Sequence, residues 1–126
     1  MILIDTHIAL WLYAGLRERL TPAARELIGA AGACRVSPVS ALELAYMHEI
    51  GRARDPVPTM LAALRQSIGL EVVDASLAEL AHAAERLSWT RDPFDRLIAA
   101  QAIVADVPLV TADRTLLEHL PQATWD

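Results

Sequence analysis

Short apolar runs alternate with stretches of helical period along the whole chain, and this alternation limits the possible folds more than any other feature. A few consecutive aliphatic residues with no alternating polar positions fit a strand buried on both faces, as happens where helices cover both sides of a parallel sheet. Met1 to Ile4 is such a run. "ACRVS" at 33 to 37, "LEVVDAS" at 70 to 76 and "VPLVTAD" at 107 to 113 are further strand candidates, and "ATWD" at the end adds a short one.

Helix starts are marked between them. Thr21-Pro22, Ser37-Pro38 and Asp92-Pro93 each set a capping side chain directly before a proline, which costs nothing at the first helical position because that N–H has no partner anyway. Ile8, Trp11 and Leu12 repeat at helical spacing up to Gly15, and a second helix runs from Thr21-Pro22 toward Gly32. Val39, Leu42, Tyr46 and Ile50 read as the buried stripe of a third helix, closed by Gly51. "RARDPVP" is a loop leading to a helix through about Ile68. Leu77 to Leu87, "FDRLIAAQAIVA" and "RTLLEHL" complete the set. Strands alternating with helices imply an α/β three-layer sandwich with a short, mostly parallel central sheet.

At 126 residues the expectation is one domain, 1–126, large enough to bury a real core. Aromatic residues are 5% of the chain against 54% hydrophobic, so that core must be aliphatic. Cys34 is the sole cysteine, which excludes an internal disulfide and reads as a small buried residue. No apolar run approaches the roughly 20 residues of a membrane span and no leader pattern opens the chain, so a cytoplasmic protein without membrane association is expected. A net charge of -5 argues against gripping nucleic acid by bulk electrostatics, which leaves local contacts. All eleven basic residues are arginine, whose planar fork suits phosphate and carboxylate.

In a parallel sheet all carboxyl ends share one edge, and ligand sites in open α/β folds form there. Asp5 closes the first strand, Asp113 follows the fourth in "LVTAD", Glu43 sits in the helix after the second, and Asp95 in the helix leading to the fourth. Capping competes with chemistry at several of these positions: Asp5 or Thr6 could cap the first helix, Asp113 the last, and Asp92 caps ahead of Pro93, where Asp95 could reciprocate; the first cap is expected to fall to Thr6, leaving Asp5 free for a metal. Glu43 is harder to dismiss. It falls four residues after Val39 and three before Tyr46, on the expected apolar stripe, where an unpaired charge is costly. Clustered carboxylates repel unless a cation holds them, and all-oxygen donors select Mg2+ or Mn2+ over zinc. The scattered His7, His48, His82 and His119 make no zinc motif. Carboxylates around such an ion point to chemistry at phosphate.

"ILIDTH" at 2 to 7, "SALE" at 40 to 43, "RDPFDRLIAAQA" at 91 to 102 and "LVTADR" at 109 to 114 together resemble the PIN-domain ribonucleases, and among them the VapC toxins of bacterial toxin-antitoxin pairs. The resemblance spans essentially the whole chain. It implies a Mg2+-dependent endoribonuclease in which Asp5 and Asp95 bind the metal directly, Asp113 directly or through water, and Glu43 orients or deprotonates the attacking water. It also implies that Thr6 and Thr111 support them by hydrogen bonds, that a small VapB-like antitoxin inserts into the groove, and that the protein forms a homodimer. Arg91, Arg96 and Arg114 flank the acids and are candidate contacts to RNA phosphates, with solvent-facing arginines beside acids as the alternative.

Two rivals share parts of this pattern. A haloacid-dehalogenase-like phosphatase also starts with an apolar strand ending in aspartate, but needs a second aspartate where this chain has His7. A non-catalytic PIN-fold interaction module would be favoured by loss of one of the acids, and all four are present.

Overall fold

The computed structural model describes residues 1–126. Its five strands are β1 (Ile2–Ile4), β2 (Cys34–Val36), β3 (Glu71–Val72), β4 (Leu109–Val110) and β5 (Ala123–Thr124). Seven helices connect or flank them: α1 (Thr6–Tyr13), α2 (Pro22–Ala30), α3 (Pro38–Glu49), α4 (Val57–Ile68), α5 (Leu77–Ala84), α6 (Pro93–Ala105) and α7 (Arg114–His119). The strands lie in the order β3-β2-β1-β4-β5 and every pairing is parallel, so the sheet is wholly rather than mostly parallel.

The alternation of side chains along β1 separates two cores. Ile2 and Ile4 pack with Ile8, Ala24, Val36 and Leu64 beneath α1, α2 and α4. Leu3, between them in sequence, points to the opposite face and joins Leu80, Ile98, Leu109 and Leu116 beneath α5, α6 and α7. Helices on both faces make the strand apolar at every position, which is why the N-terminal run carries no alternation. Cys34 is buried in the first core, and burial pushes its thiol up to about 11.

The cap-proline pairs perform as expected. Thr21, Ser37 and Asp92 each accept a hydrogen bond from the first turn of the helix they precede. α4 ends on Gly69 at φ +69, the left-handed position a glycine takes without strain. α5 stops at Ala84, short of Leu87, and "LEVVDAS" yields only the two paired residues of β3 at the sheet edge.

The stripe expected for α3 is corrected. Leu42, Tyr46 and Ile50 are 63%, 51% and 49% exposed, and the buried residues are Ser40, Leu44 and Met47. This helix carries apolar residues on nearly every side, so periodicity alone does not select a face. Packing against α1, α4 and α6 selects it. Glu43 nonetheless remains half-buried, because it lies between Ser40 and Met47 on the same face.

Leu42→Ala should change the free energy of unfolding by no more than about 0.5 kcal/mol. Leu44→Ala, in contrast, should cost about 2–5 kcal/mol in a urea titration. Equal costs would mean that α3 turns a different face to the core.

Candidate active site

Asp5 is held where β1 leaves the sheet. Its amide donates to Val110 O of β4, extending the ladder one residue beyond the strand and fixing the backbone. The side chain is 6% exposed, and both oxygens are engaged: Oδ1 accepts from Thr6 N at 2.8 Å and Oδ2 from Thr111 Oγ1 at 2.7 Å. The expectation that Thr6 caps α1 is corrected, because the cap is Asp5 itself. Thr6 is already the first helical residue, so its side chain lies past the capping position. Each carboxylate oxygen keeps a second lone pair, so the cap does not preclude a metal ligand.

Thr111 links this aspartate to the next one. Its hydroxyl donates to Asp5 and accepts from Asp113 N at 3.0 Å, making a relay from one strand end to the other. Asp113 caps α7, with Oδ1 accepting from Leu116 N at 3.0 Å, and stays exposed. Both capping alternatives thus hold as geometry, alongside a common location at the carboxyl edge of the central strands.

Glu43 and Asp95 arrive from α3 and α6, which pack against one another. Asp92 caps α6 by accepting from Phe94 N and Asp95 N, but the Asp95 side chain does not reciprocate, and its carboxylate is left facing the other acids. Burial, and then the charges of Asp92, Asp5, Asp113 and Glu43, push Asp95 up to about 7. Burial likewise raises Glu43. The Thr6 hydroxyl and His7 oppose that rise, and Asp5 and Asp92 add to it. Asp5 is raised by burial against the hydrogen bonds from Thr111 and Thr6. The four acids are therefore brought within electrostatic reach of one another. No three of them stand close enough to form a ready-made ligand group, as expected of like charges that separate until packing halts them.

Two further residues belong to this neighbourhood. His7 is exposed on the first turn of α1 and favours the charged forms of Asp5 and Glu43, and Asp92 acts as a fifth acid. The Asp92-x-x-Asp95 spacing was the available signal for the latter, whereas nothing in sequence marks His7. The arginines are placed unequally. Arg96 Nε donates to Thr90 O at 2.8 Å and fastens the loop before α6, Arg91 is exposed and donates to Ser88 O at 3.0 Å, and Arg114 is exposed at the start of α7.

The site is thus a five-stranded parallel sheet with acids gathered at its carboxyl edge. The PIN domain family model matches residues 2–121. The chain belongs to the PIN domain family. It is 35% identical to ribonuclease VapC22 of Mycobacterium tuberculosis over 129 residues, covering 98% of each chain. Among solved structures it resembles VapBC2 of Rickettsia felis bound to a promoter DNA fragment, with a TM-score of 0.70 at 22% identity and all of both chains covered. It also resembles VapBC-1 of nontypeable Haemophilus influenzae, with a TM-score of 0.67 at 15% identity over 100% of this chain and 97% of that one. At those identities the structures speak for the fold.

The acidic edge of this PIN domain fits a hard divalent cation on its own chemistry. Every donor is oxygen, and the acids raise one another's pKa, an effect a shared cation would reverse.

Two measurements probe this edge. Thr111→Val keeps the shape but removes the hydroxyl from buried Asp5, and should cost about 1.5–3 kcal/mol of stability by urea denaturation. For Asp95 the native pKa lies above the ordinary 3.8, so the folded state binds the extra proton. Its contribution to stability is then full below 3.8 and is lost as pH rises through about 7. In a chelator-treated sample, the thermal midpoint of Asp95→Asn relative to the parent should climb across that interval. A difference that does not vary with pH would show that Asp95 is not perturbed.

Proposed function

We propose that this PIN domain, acting as one unit over residues 1–126, is a metal-dependent endoribonuclease and the toxin of a type II toxin-antitoxin pair. The observation that carries this reading is the convergence of Asp5, Glu43, Asp95 and Asp113 at one sheet edge, in a chain similar over nearly its whole length to a VapC ribonuclease. Asp5, Asp95 and Asp113 would hold Mg2+, or Mn2+ in its place. Such an ion supplies neutralisation of charge gathering on the phosphate and acidification of water.

The chain's own groups do the rest. Glu43, whose pKa burial raises from its ordinary value, is a stronger base than a free carboxylate and is suited to take the proton of the attacking water. Thr111 locks the rotamer of Asp5, and the backbone cap from Thr6 N holds the other oxygen, so the carboxylate loses little freedom when it binds. Arg91, Arg96 and Arg114 around the edge would bind phosphates of the RNA strand. Of these, Arg96 keeps its terminal nitrogens available while Nε ties the loop.

By likeness to the VapBC structures we assign a small VapB-like antitoxin as inhibitory partner, and we carry over a homodimer as the working form from the family resemblance alone. No helix is long and apolar enough to cross a membrane, and we place the protein in the cytoplasm.

Purified protein freed of antitoxin should cut RNA with Mg2+, and chelation should stop the reaction. Asp5→Asn should lower cleavage by at least about 100-fold, at or beyond the loss seen when only a supporting partner of a ligand is removed. Asparagine caps a helix as well as aspartate, so circular dichroism should show the fold unchanged. RNA left intact by the parent protein with either metal would defeat the nuclease assignment and favour a PIN-fold interaction module.

A further inference from the structure

Away from the acidic edge, a cavity of about 630 Å³ opens between α1, the 3-10 turn at Arg17–Arg19 and the loop after α3. That size is typical of small-ligand sites. Trp11, Tyr13, Arg19, Arg52, Arg54 and Asp55 contribute its aromatic and charged lining. Three of the eleven basic residues thus meet in one hollow of a protein whose net charge is -5.

None of the three arginines is paired. The ion pairs of the structure are Arg65 with Glu71 and His82 with Glu85, both elsewhere. The one acid in the lining, Asp55, is engaged by the Tyr13 hydroxyl, which donates to it. The hollow therefore sets three arginines against one carboxylate, and Ala53, buried between Arg52 and Arg54, anchors the loop that carries two of them.

The aromatic element is fixed in place. Trp11 packs against Trp125 with ring centres 6.4 Å apart, and the Arg19 guanidinium lies over the Trp11 ring at 5.7 Å from its centre. An indole with a guanidinium held over its face offers a nucleobase a π surface and a cation together, and free arginine forks beside it suit phosphate oxygens. The hollow also communicates with the acids along one helix. His7, two residues after Asp5, sits one turn before Trp11, with ring centres 6.4 Å apart.

We infer that this cavity is a nucleotide subsite. It would hold one residue of the RNA strand flanking the cut bond, with its base against Trp11 and Arg19 and its phosphates gripped by Arg52 and Arg54. The assignment rests on the ribonuclease reading and adds to it a place where the strand is held. An acidic protein segment is the competing occupant. Unpaired arginines grouped around one stacking surface match the repeat of phosphate and base better than a peptide, whose charges follow no such repeat.

The test uses the intact protein and a labelled single-stranded RNA of about a dozen nucleotides, followed by fluorescence anisotropy in chelator across a salt series. Arg52→Ala combined with Arg54→Ala touches exposed side chains and should leave the thermal midpoint unchanged. It should weaken binding about tenfold and reduce the slope of log affinity on log salt by about 1.4, or roughly 0.7 for each lost phosphate contact. Trp11→Ala should also weaken binding about tenfold, with a smaller change in slope.

Parental affinity and slope in the arginine double variant, while the parent cleaves RNA with Mg2+, would overturn the subsite and leave the nuclease reading standing. In that case, poly-glutamate binding that the double variant loses would assign the cavity to an acidic protein segment. A parent that neither binds nor cuts the RNA would defeat both readings.

Discussion

The structure turns on a buried carboxylate tied across two strands. Asp5 is placed by the β1–β4 ladder, clamped through one oxygen by the start of α1 and through the other by Thr111. Without those donors, an aspartate this buried would be a large destabilising charge, and with them it becomes a fixed point on which two helix starts and two strand ends are aligned. Because the Thr111 hydroxyl also accepts from Asp113 N, the same bond sets the relative position of two acids 108 positions apart in sequence.

The cost of that arrangement is borne at Asp95 and Glu43. They are brought in by the packing of α3 on α6, into partial burial beside charges already present, and their protons are correspondingly hard to remove. A cluster of acids poised in this way is unfavourable as architecture alone and would become favourable with the cation that the proposed function requires. Three of the five acids, Asp5, Asp92 and Asp113, are also helix caps. A capping hydrogen bond offsets part of the cost of holding the carboxylate in place and leaves lone pairs for another partner.

The basic hollow along α1 extends the acidic edge in charge and in kind. Carboxylates that bind a cation repel an RNA backbone, and a protein of net negative charge has no broad positive field to compensate. Arginines grouped at Arg19, Arg52 and Arg54 would give attraction where the strand lies, in keeping with the expectation that nucleic-acid contacts here are local.

Much of this was legible before any fold was known. The N-terminal apolar run, the three cap-proline pairs and the glycine stops fixed the order of elements, because short-range sterics and hydrogen bonding at helix ends do not depend on what surrounds them. The strand ends also marked Asp5 and Asp113, since a parallel sheet puts all its carboxyl ends on one edge. Three things required the tertiary structure. Which face of α3 is buried depended on its neighbours, because an all-round apolar helix has no preferred side. Which residue caps α1 depended on where β1 ends, a boundary that local pattern leaves open by a residue. The gathering of Trp11 and Arg19 with Arg52 and Arg54 joins segments that no periodicity connects, and only chain packing brings them to one cavity. The sequence by itself determined the elements and the chemistry of the edge. Long-range packing decided the faces, the distances and the second surface, because those depend on contacts between parts of the chain that carry no local signal of one another.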